Sequence, residues 1–176
     1  MLIKTIFAGF GGQGVLSMGL NLAQAAMLEN KNVTYLPSYG AEVRGGTANC
    51  TVAISDEEIA SPVASSPEFV VAMNQPSMLR FQNQVQSGGV LLVNSSLVEA
   101  ELSRADINIV SVPANDIADK LGSPKSANMV MLGVFIKKSS LVSLSSITQG
   151  LESTLGKKQS QLGINKKALN AGYDLF

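Results

Sequence analysis

The chain has 176 residues, of which 13 are lysine or arginine and 13 are aspartate or glutamate, so its formal net charge is zero. That balance argues against a protein that binds nucleic acid through a basic surface. The absence of histidine and the single cysteine exclude a histidine-based catalytic triad and a disulfide within the chain. They also exclude a zinc or iron–sulfur site formed by this chain alone.

Composition also indicates which partners and which cellular compartment to expect. Charged residues make up only 15% of the chain, against about 25% in a typical soluble domain, which indicates that a partner covers part of the surface. A lone cysteine is typical of a reducing compartment. The apolar residues 1–9 are too short for a signal peptide, and no stretch reaches the roughly 18 apolar residues of a transmembrane helix. We therefore expect residues 1–176 to form one cytoplasmic domain.

The first elements are a strand, a glycine-rich segment, a helix and a second strand. Residues 2–8 are apolar and rich in β-forming side chains, as in a buried strand of a parallel sheet. The glycine-rich residues 9–14 follow at once, and apolar residues then recur at helical spacing over 15–27. That helix should end near residues 29–31. Residues 32–37 predict a second strand, parallel to the first through a right-handed crossover.

The next segment has no periodic pattern. Residues 38–46 hold two charges, an aromatic residue and three glycines, which predicts a loop at the end of the second strand. Residues 47–55 alternate as a strand with no helix before them, so we expect that strand to be antiparallel to a neighbour. Residues 61–67 form a connection rich in serine and proline.

The second half of the chain alternates between strands and helices. Strands are predicted at 69–73, 90–93 and 107–112, and helices at 77–85, 115–121, 127–137, 144–155 and 159–171. Residues 128–135 are apolar nearly all round, which predicts burial in the core or in an interface. The alternation predicts an α/β sandwich with a mostly parallel sheet and at least one antiparallel strand. Ligands of such sheets bind beyond the carboxyl ends of the strands, here expected at Gly9, Ser38, Asn74, Asn94 and Pro113.

Gly9, Gly11 and Gly14 have the spacing of a dinucleotide-binding fingerprint, between a strand and a helix. Such glycines let backbone N–H groups approach a phosphate at the helix N-terminus, and Gly11 with Gly12 would let a ligand or a neighbouring chain lie flat. A tight turn that only serves packing remains the alternative. A nicotinamide cofactor is disfavoured, because no acidic residue stands at the end of the second strand: Glu29 precedes that strand and Glu42 lies past it.

Few other side chains suggest chemistry. Glu42 and Arg44 are charges near the expected ligand edge, where they could contact a ligand, anchor an interface or pair with each other. Cys50 lies in an alternating strand and is expected to be an inert apolar residue. Asn74 and Asn94 could bond a ligand or simply form turns. Most of the methionines are expected to fill gaps in the core or in an interface: Met18, Met27, Met73, Met78, Met129 and Met131.

No catalytic residue and no metal-ligating set emerges from these side chains, so the chain by itself is interpreted as a binding or positioning module. Two further segments extend the first glycine motif. The sequence PSYGAEVRGGTANC spans residues 37–50, and NMVMLG spans residues 128–133. With residues 9–16 (GFGGQGVL), with ISD at 54–56, SP at 61–62, NQPS at 74–77 and PA at 113–114, they resemble the gamma subunit of the 2-oxoacid:ferredoxin oxidoreductases, over nearly the whole chain.

The resemblance implies a three-layer, Rossmann-like α/β domain within an enzyme that converts a 2-oxoacid, coenzyme A and oxidised ferredoxin into acyl-CoA, carbon dioxide and reduced ferredoxin. It implies alpha and beta subunits that bind thiamine diphosphate with magnesium, a ferredoxin-like subunit that holds iron–sulfur clusters, and no activity of this chain alone. The second motif is most similar to the 2-oxoisovalerate and 2-oxoglutarate branches, although Ala41 stands where members often have proline.

The resemblance also implies that the two glycine loops help to hold coenzyme A. The residues to which this role is carried over are Gly9, Gly11, Gly12, Gln13, Gly14, Tyr39, Glu42, Arg44, Gly45 and Gly46. Two other classes of function remain open from the residues: a stand-alone nucleotide-dependent oxidoreductase, and a small regulatory module that binds a nucleotide or an acyl-CoA.

Overall fold

The structure is a computed structural model that describes residues 1–39, 47–100, 104–155 and 158–176. Strands and helices are mixed along the described residues, with three consecutive strands after the first helix and four α-helices after the last strand. The strands are β1 (Leu2–Phe10), β2 (Asn32–Tyr39), β3 (Thr47–Ser55), β4 (Phe69–Ala72), β5 (Val90–Asn94) and β6 (Asn108–Val112). The helices are α1 (Val15–Leu28), α2 (Gln75–Phe81), α3 (Ala114–Lys120), α4 (Ala127–Ser139), α5 (Leu144–Leu155) and α6 (Gln159–Tyr173).

The six strands form one sheet in the order β2-β3-β1-β4-β5-β6. β1, β4, β5 and β6 pair in parallel, while β3 pairs antiparallel with both β1 and β2. The mostly parallel sheet and its antiparallel strand at 47–55 are therefore confirmed. β1 and β2 point the same way, as expected, but β3 lies between them and separates them.

Helices cover both faces of the sheet, which confirms the layered sandwich. On one face α1, α3, α4, α5 and α6 contribute side chains to one apolar cluster with the sheet, and Phe135 of α4 makes edge contacts with the rings of Phe7 and Phe69 at 5.3 and 5.4 Å between centroids. On the other face α2 places Met78 and Phe81 against alternate residues of the same strands. Alternation along each strand thus feeds two apolar clusters.

α4 is the centre of the larger cluster. All eight residues from Met129 to Ile136 are buried, so the expectation of burial for this helix is confirmed, with the core as its place. α6 crosses α4 closely, because a Cβ on Gly133 would overlap the carbonyl oxygen of Leu169, and one on Gly172 would overlap that of Val130. Of the six methionines expected in a core or an interface, Met27 alone is exposed, at 66%, and the other five are buried.

Within the described ranges, no helix combines the length and the apolar character that crossing a bilayer requires.

Candidate functional site

The carboxyl ends of β1, β2, β4, β5 and β6 meet at one edge of the sheet, because these five strands run in the same direction. α1, α2 and α3 begin at this edge, directly after β1, β4 and β6. This is where an open α/β sheet binds ligands. The predicted glycine-rich segment lies here, at the end of β1.

The segment between β1 and α1 is a tight loop. Gly12 and Gly14 adopt the left-handed conformation, with φ of 99° and 73°, which favours glycine over residues with a Cβ. Gly14 occupies the N-cap position of α1, no side chain caps the helix, and the first turn contains no acidic residue. The first backbone N–H groups of α1 therefore have no side-chain acceptor, and the positive end of the helix dipole remains free to attract an anion.

A pocket of about 370 Å³ opens beside this loop. Backbone of the glycine loop and apolar side chains form most of its wall, and the described residues that line it include no cation. The lining residues are Phe10, Gly11, Gly12, Gly14, Val15, Leu16, Ser17 and Ala48. This combination can accept an apolar group along its wall and an anionic group at the helix end.

The glycines of the motif serve different tasks. A Cβ on Gly12 would meet open space, so its dihedral angle, and not crowding, favours glycine there. Gly9 is a packing position, because a Cβ would lie 2.8 Å from both Oε1 of Gln13 and Cγ1 of Val15. A Cβ on Gly14 would overlap the side chain of Asn128. Of the residues expected to bind a ligand, Gly11, Gly12 and Gly14 line the pocket and Gly9 lies behind it.

Gln13 braces the loop from behind. Its Oε1 accepts hydrogen bonds from the backbone N–H of Phe10 at 2.7 Å and from Nδ2 of Asn74 at 2.6 Å, and its Nε2 donates to the carbonyl of Met73 at 3.5 Å. The sequence singled out Gln13 as a ligand contact. The structure links its amide to the ends of β1 and β4, and its role as a ligand contact stays a prediction.

The second glycine motif starts and ends beside the first. β2 ends at Tyr39 and β3 begins at Thr47, and Thr47 pairs with Phe10 while Tyr39 pairs with Ala48. Glu42, Arg44, Gly45 and Gly46 lie outside the described residues, as does the side chain of Tyr39. The strand ends Tyr39 and Thr47, within the second motif, thus stand beside the pocket that Phe10 and Ala48 line.

The two asparagines at strand ends have structural partners. Asn74 caps α2, since its Oδ1 accepts from the N–H of Ser77 at 2.9 Å. Asn94 is fully buried, donates to the carbonyl of Met73 at 3.2 Å and to Oδ1 of Asn115 at 2.8 Å, and accepts from the N–H of Ala114 at 3.3 Å. Of the two alternatives left open by the sequence, the structure supports the turn-forming one.

Sequence reasoning missed Asn115 and Asn128. Asn115 stands two residues after the strand-ending Pro113, so its position at the ligand edge was a usable signal. Asn128 comes from α4, and its Nδ2 lies 3.4 Å from the carbonyl of Gly14, a contact between residues 114 positions apart. No local pattern could reveal that contact.

Cys50 is inert, as expected. Its side chain is fully buried, its Sγ lies 3.4 Å from the carbonyl of Val15, and burial raises its pKa to about 12. The thiol therefore stays protonated at neutral pH and is a poor nucleophile. Over the described ranges, acidic and cysteine side chains form no group of three or more that could hold a metal ion.

Comparison with known proteins finds relatives that match nearly the whole chain. The sequence model of the family described as pyruvate ferredoxin/flavodoxin oxidoreductase matches residues 4–175. The ketoisovalerate oxidoreductase subunit VorA of Methanothermobacter thermautotrophicus is 42% identical over 172 residues, which are 97% of this chain and 35% of that protein. The 2-oxoglutarate synthase subunit KorC of Methanocaldococcus jannaschii is 33% identical over 171 residues, 96% of this chain and 90% of that protein.

The fold has a close match among solved structures. The gamma subunit of a keto/oxoacid ferredoxin oxidoreductase from Geobacter sulfurreducens superposes with a TM-score of 0.82 and 27% identity, over 98% of this chain and 96% of that one. This chain spans about a third of the length of the VorA relative and nearly all of the KorC relative. By the family match over almost its whole length, the chain belongs to the pyruvate ferredoxin/flavodoxin oxidoreductase family.

Proposed function

We propose that this chain is the gamma subunit of a 2-oxoacid:ferredoxin oxidoreductase and supports the oxidative decarboxylation of a 2-oxoacid to acyl-CoA with reduction of ferredoxin. One observation carries the proposal: 42% identity to a ketoisovalerate oxidoreductase subunit over 97% of this chain. The KorC relative, of similar length to this chain, is named as a subunit of an enzyme that acts on another 2-oxoacid.

We assign the redox and decarboxylation steps to partner subunits. Iron–sulfur clusters do not fit the described residues of this chain, since its one cysteine is buried as a thiol with a pKa of about 12 and no three acidic or cysteine side chains among those residues come together as metal ligands. The partners in this proposal are alpha and beta subunits that bind thiamine diphosphate, and a ferredoxin-like subunit that holds the clusters.

The exposed apolar residues of α1 support a partner surface. Leu20, Met27 and Leu28 are 42%, 66% and 46% exposed on a chain with few charges. Apolar side chains that cluster on a solvent-facing helix are typical of subunit contacts. Met27, which the core does not use, fits the interface role expected for it.

The glycine loops support a role in holding coenzyme A. Its diphosphate would accept hydrogen bonds from the first N–H groups of α1, beside Gly11, Gly12 and Gly14, and its pantetheine arm would lie along the apolar wall. Arg44 would supply the cation that the described wall lacks, with Tyr39, Glu42, Gly45 and Gly46 around it. Gly9 and Gln13 would support the loop from behind.

We also propose that residues 1–176 form one domain that works in the cytoplasm. One continuous sheet carries both apolar clusters, which supports the first statement, and the unpaired Cys50 supports a reducing compartment.

The test is purification of the tagged chain from its native cells. We expect it to bring down subunits that contain thiamine diphosphate and iron–sulfur clusters, and the isolated complex to reduce ferredoxin only when a 2-oxoacid and coenzyme A are both supplied. A chain that purifies alone and turns over a substrate by itself contradicts the proposal. Saturable binding of NADH by the isolated chain would favour the stand-alone oxidoreductase instead.

A further inference from the structure

Three side-chain amides join the glycine loop to the neighbouring strand ends. They belong to Gln13, in the loop, and to Asn74 and Asn94, which follow β4 and end β5. Nδ2 of Asn74 donates to Oε1 of Gln13 at 2.6 Å, and both Nε2 of Gln13 and Nδ2 of Asn94 point to the carbonyl of Met73, at 3.5 and 3.2 Å. The loop is thereby bonded to the residues that follow β4, and Asn94 bonds those residues in turn to the end of β5.

Backbone donors fix the orientation of these amides. The N–H of Phe10 can bond only to an acceptor, which makes the nearby atom of Gln13 its Oε1. The N–H of Ser77 in the same way requires Oδ1 of Asn74, which turns Nδ2 of Asn74 towards Gln13. Each amide therefore has one orientation that satisfies its neighbours.

The side-chain oxygen of Gln13 is fully engaged within the protein. A carbonyl oxygen has two lone pairs, and Oε1 already accepts from Phe10 and Asn74. Asn74 is 4% exposed, so its amide group gains nothing from solvent that would replace the bond to Gln13. The pocket wall is formed by Gly11, Gly12 and Gly14, on either side of Gln13 in the sequence, and not by Gln13 itself.

From this geometry we propose that Gln13 and Asn74 are positioning residues, which hold the glycine loop in the shape that leaves the first N–H groups of α1 open to an anionic ligand. The loop needs such support, because glycine backbone is otherwise free to adopt many conformations. The role of the pair in ligand binding rests on the proposed function, whereas its effect on the loop does not.

Two substitutions break the contact in different ways. Asn74→Asp keeps an oxygen to cap α2 but replaces the donor facing Gln13 with a second acceptor. Gln13→Met has a similar length and removes every hydrogen bond of the amide. Asn108→Asp is the matched control, since it also removes one amide donor, the bond from Nδ2 to the carbonyl of Gly88, at the opposite edge of the sheet.

The first measurement is hydrogen–deuterium exchange in the whole chain. We expect peptides covering residues 10–17 to exchange about tenfold faster in Asn74→Asp and in Gln13→Met, since one buried hydrogen bond contributes about that factor. Exchange in α5 should not change, and the control should match wild type throughout. Unchanged exchange at residues 10–17, or an equal rise across all helices, overturns the proposal.

The second measurement uses the assembled complex. We expect the KM for coenzyme A to rise about tenfold in either variant, with kcat and the KM for the 2-oxoacid within about twofold of wild type. The double variant should be no worse than the poorer single one, because both break the same contact. Effects that multiply to about a hundredfold overturn the shared role.

The two measurements separate the two ideas. If the wild-type chain does not assemble with partner subunits into a 2-oxoacid:ferredoxin oxidoreductase, the proposed function fails, while hydrogen–deuterium exchange still tests the positioning role of Gln13 and Asn74. If the complex forms and its activity depends on coenzyme A, but the variants change neither the exchange of the loop nor the KM for coenzyme A, only the positioning role of Gln13 and Asn74 is rejected.

Discussion

Arg44 is the residue on which the chemistry of the proposed site depends most. The described wall of the pocket offers backbone N–H groups and apolar side chains but no cation. Coenzyme A carries several negative charges, and a guanidinium can bond two phosphate oxygens at once. Arg44 belongs to the segment whose two ends, Tyr39 and Thr47, stand beside the glycine loop.

Arg44→Ala in the assembled enzyme should therefore raise the KM for coenzyme A by about tenfold to a hundredfold, the range expected for the loss of a charged hydrogen bond. Subunit composition after gel filtration should be unchanged. Arg80→Ala, on α2, is the control and should leave the KM at its wild-type value. Dissociation of the complex in Arg44→Ala would assign this side chain to a subunit interface.

The sequence predicts the roles of single residues best where the interacting residues are close together in the chain. The position of Gly11 and Gly12 in a loop at the ligand edge was predictable, because a strand, a glycine motif and a helix are adjacent in the chain. The inward orientation of Gln13 was not, because it depends on Asn74, 61 residues away. The inertness of Cys50 was predictable from its place in an alternating strand.

Among the elements, the crossing of α4 and α6 makes the strictest demand on the sequence. Gly133 and Gly172 let the two backbones touch, so side chains cannot separate them. The sequence located each described strand and helix, although α2 begins two residues before and ends four residues before its predicted bounds of 77–85. The contact between α4 and α6 was not foreseen, since periodicity does not tell which helices pair. The same limit applies to β3, whose place between β1 and β2 depends on pairing that the chain order does not specify.

Gly133→Ala should lower the free energy of unfolding by roughly 2–4 kcal/mol, because the added methyl group forces the helices apart where backbone atoms cannot yield. Gly163→Ala is the matched control on the exposed side of α6, where a Cβ would meet open space. It should raise stability by about 0.5–1 kcal/mol through helix propensity. Urea unfolding followed by circular dichroism measures both, and equal stabilities would contradict the close crossing.

Arg104 links the residues just before β6 to those just after α2. Its ion pair makes the free energy of unfolding depend on pH in the acid range. Its guanidinium pairs with Asp106 and donates to the carbonyls of Gln82 and Val85 at 3.0 and 2.8 Å. The hydrogen bond from Arg104 holds the pKa of Asp106 at about 2, below its usual value of 3.8. Because the pKa of Asp106 is lower in the folded chain than in the unfolded chain, its ionised carboxylate stabilises the fold at pH values above about 4. This stabilisation is lost as the pH falls from about 4 towards 2.

Asp106→Asn should therefore lower stability at pH 6 and flatten the decline between pH 4 and pH 2. Unfolding in urea at several pH values provides the comparison. Asp116→Asn, at the start of α3, is the control with the same change of charge. If the stability of Asp106→Asn falls as steeply between pH 4 and pH 2 as that of the wild type, this ion pair is not the cause of the loss of stability in acid.

At the scale of the whole molecule, the sheet carries packed apolar clusters on its two faces and the proposed ligand site at its carboxyl edge. Its amino edge and its two apolar clusters provide stability, while the carboxyl edge gathers the glycine loop, the amide network and both ends of the second motif. Composition anticipated this division, because a chain without histidine and with one cysteine has few reactive groups. The identity of its partners could not be derived from composition, since it depends on surfaces that several elements build together.

The register of β3 has a consequence for how this family can diversify. Because Thr47 pairs with Phe10 and Tyr39 with Ala48, both ends of the second motif are fastened to long hydrogen-bonded ladders. Insertions or deletions in residues 40–46 would leave those ladders in place, and doubling such a segment costs only about 0.6 kcal/mol of closure entropy. A change of length between Tyr39 and Thr47 would therefore leave the pairing of β2 and β3 with their neighbours intact.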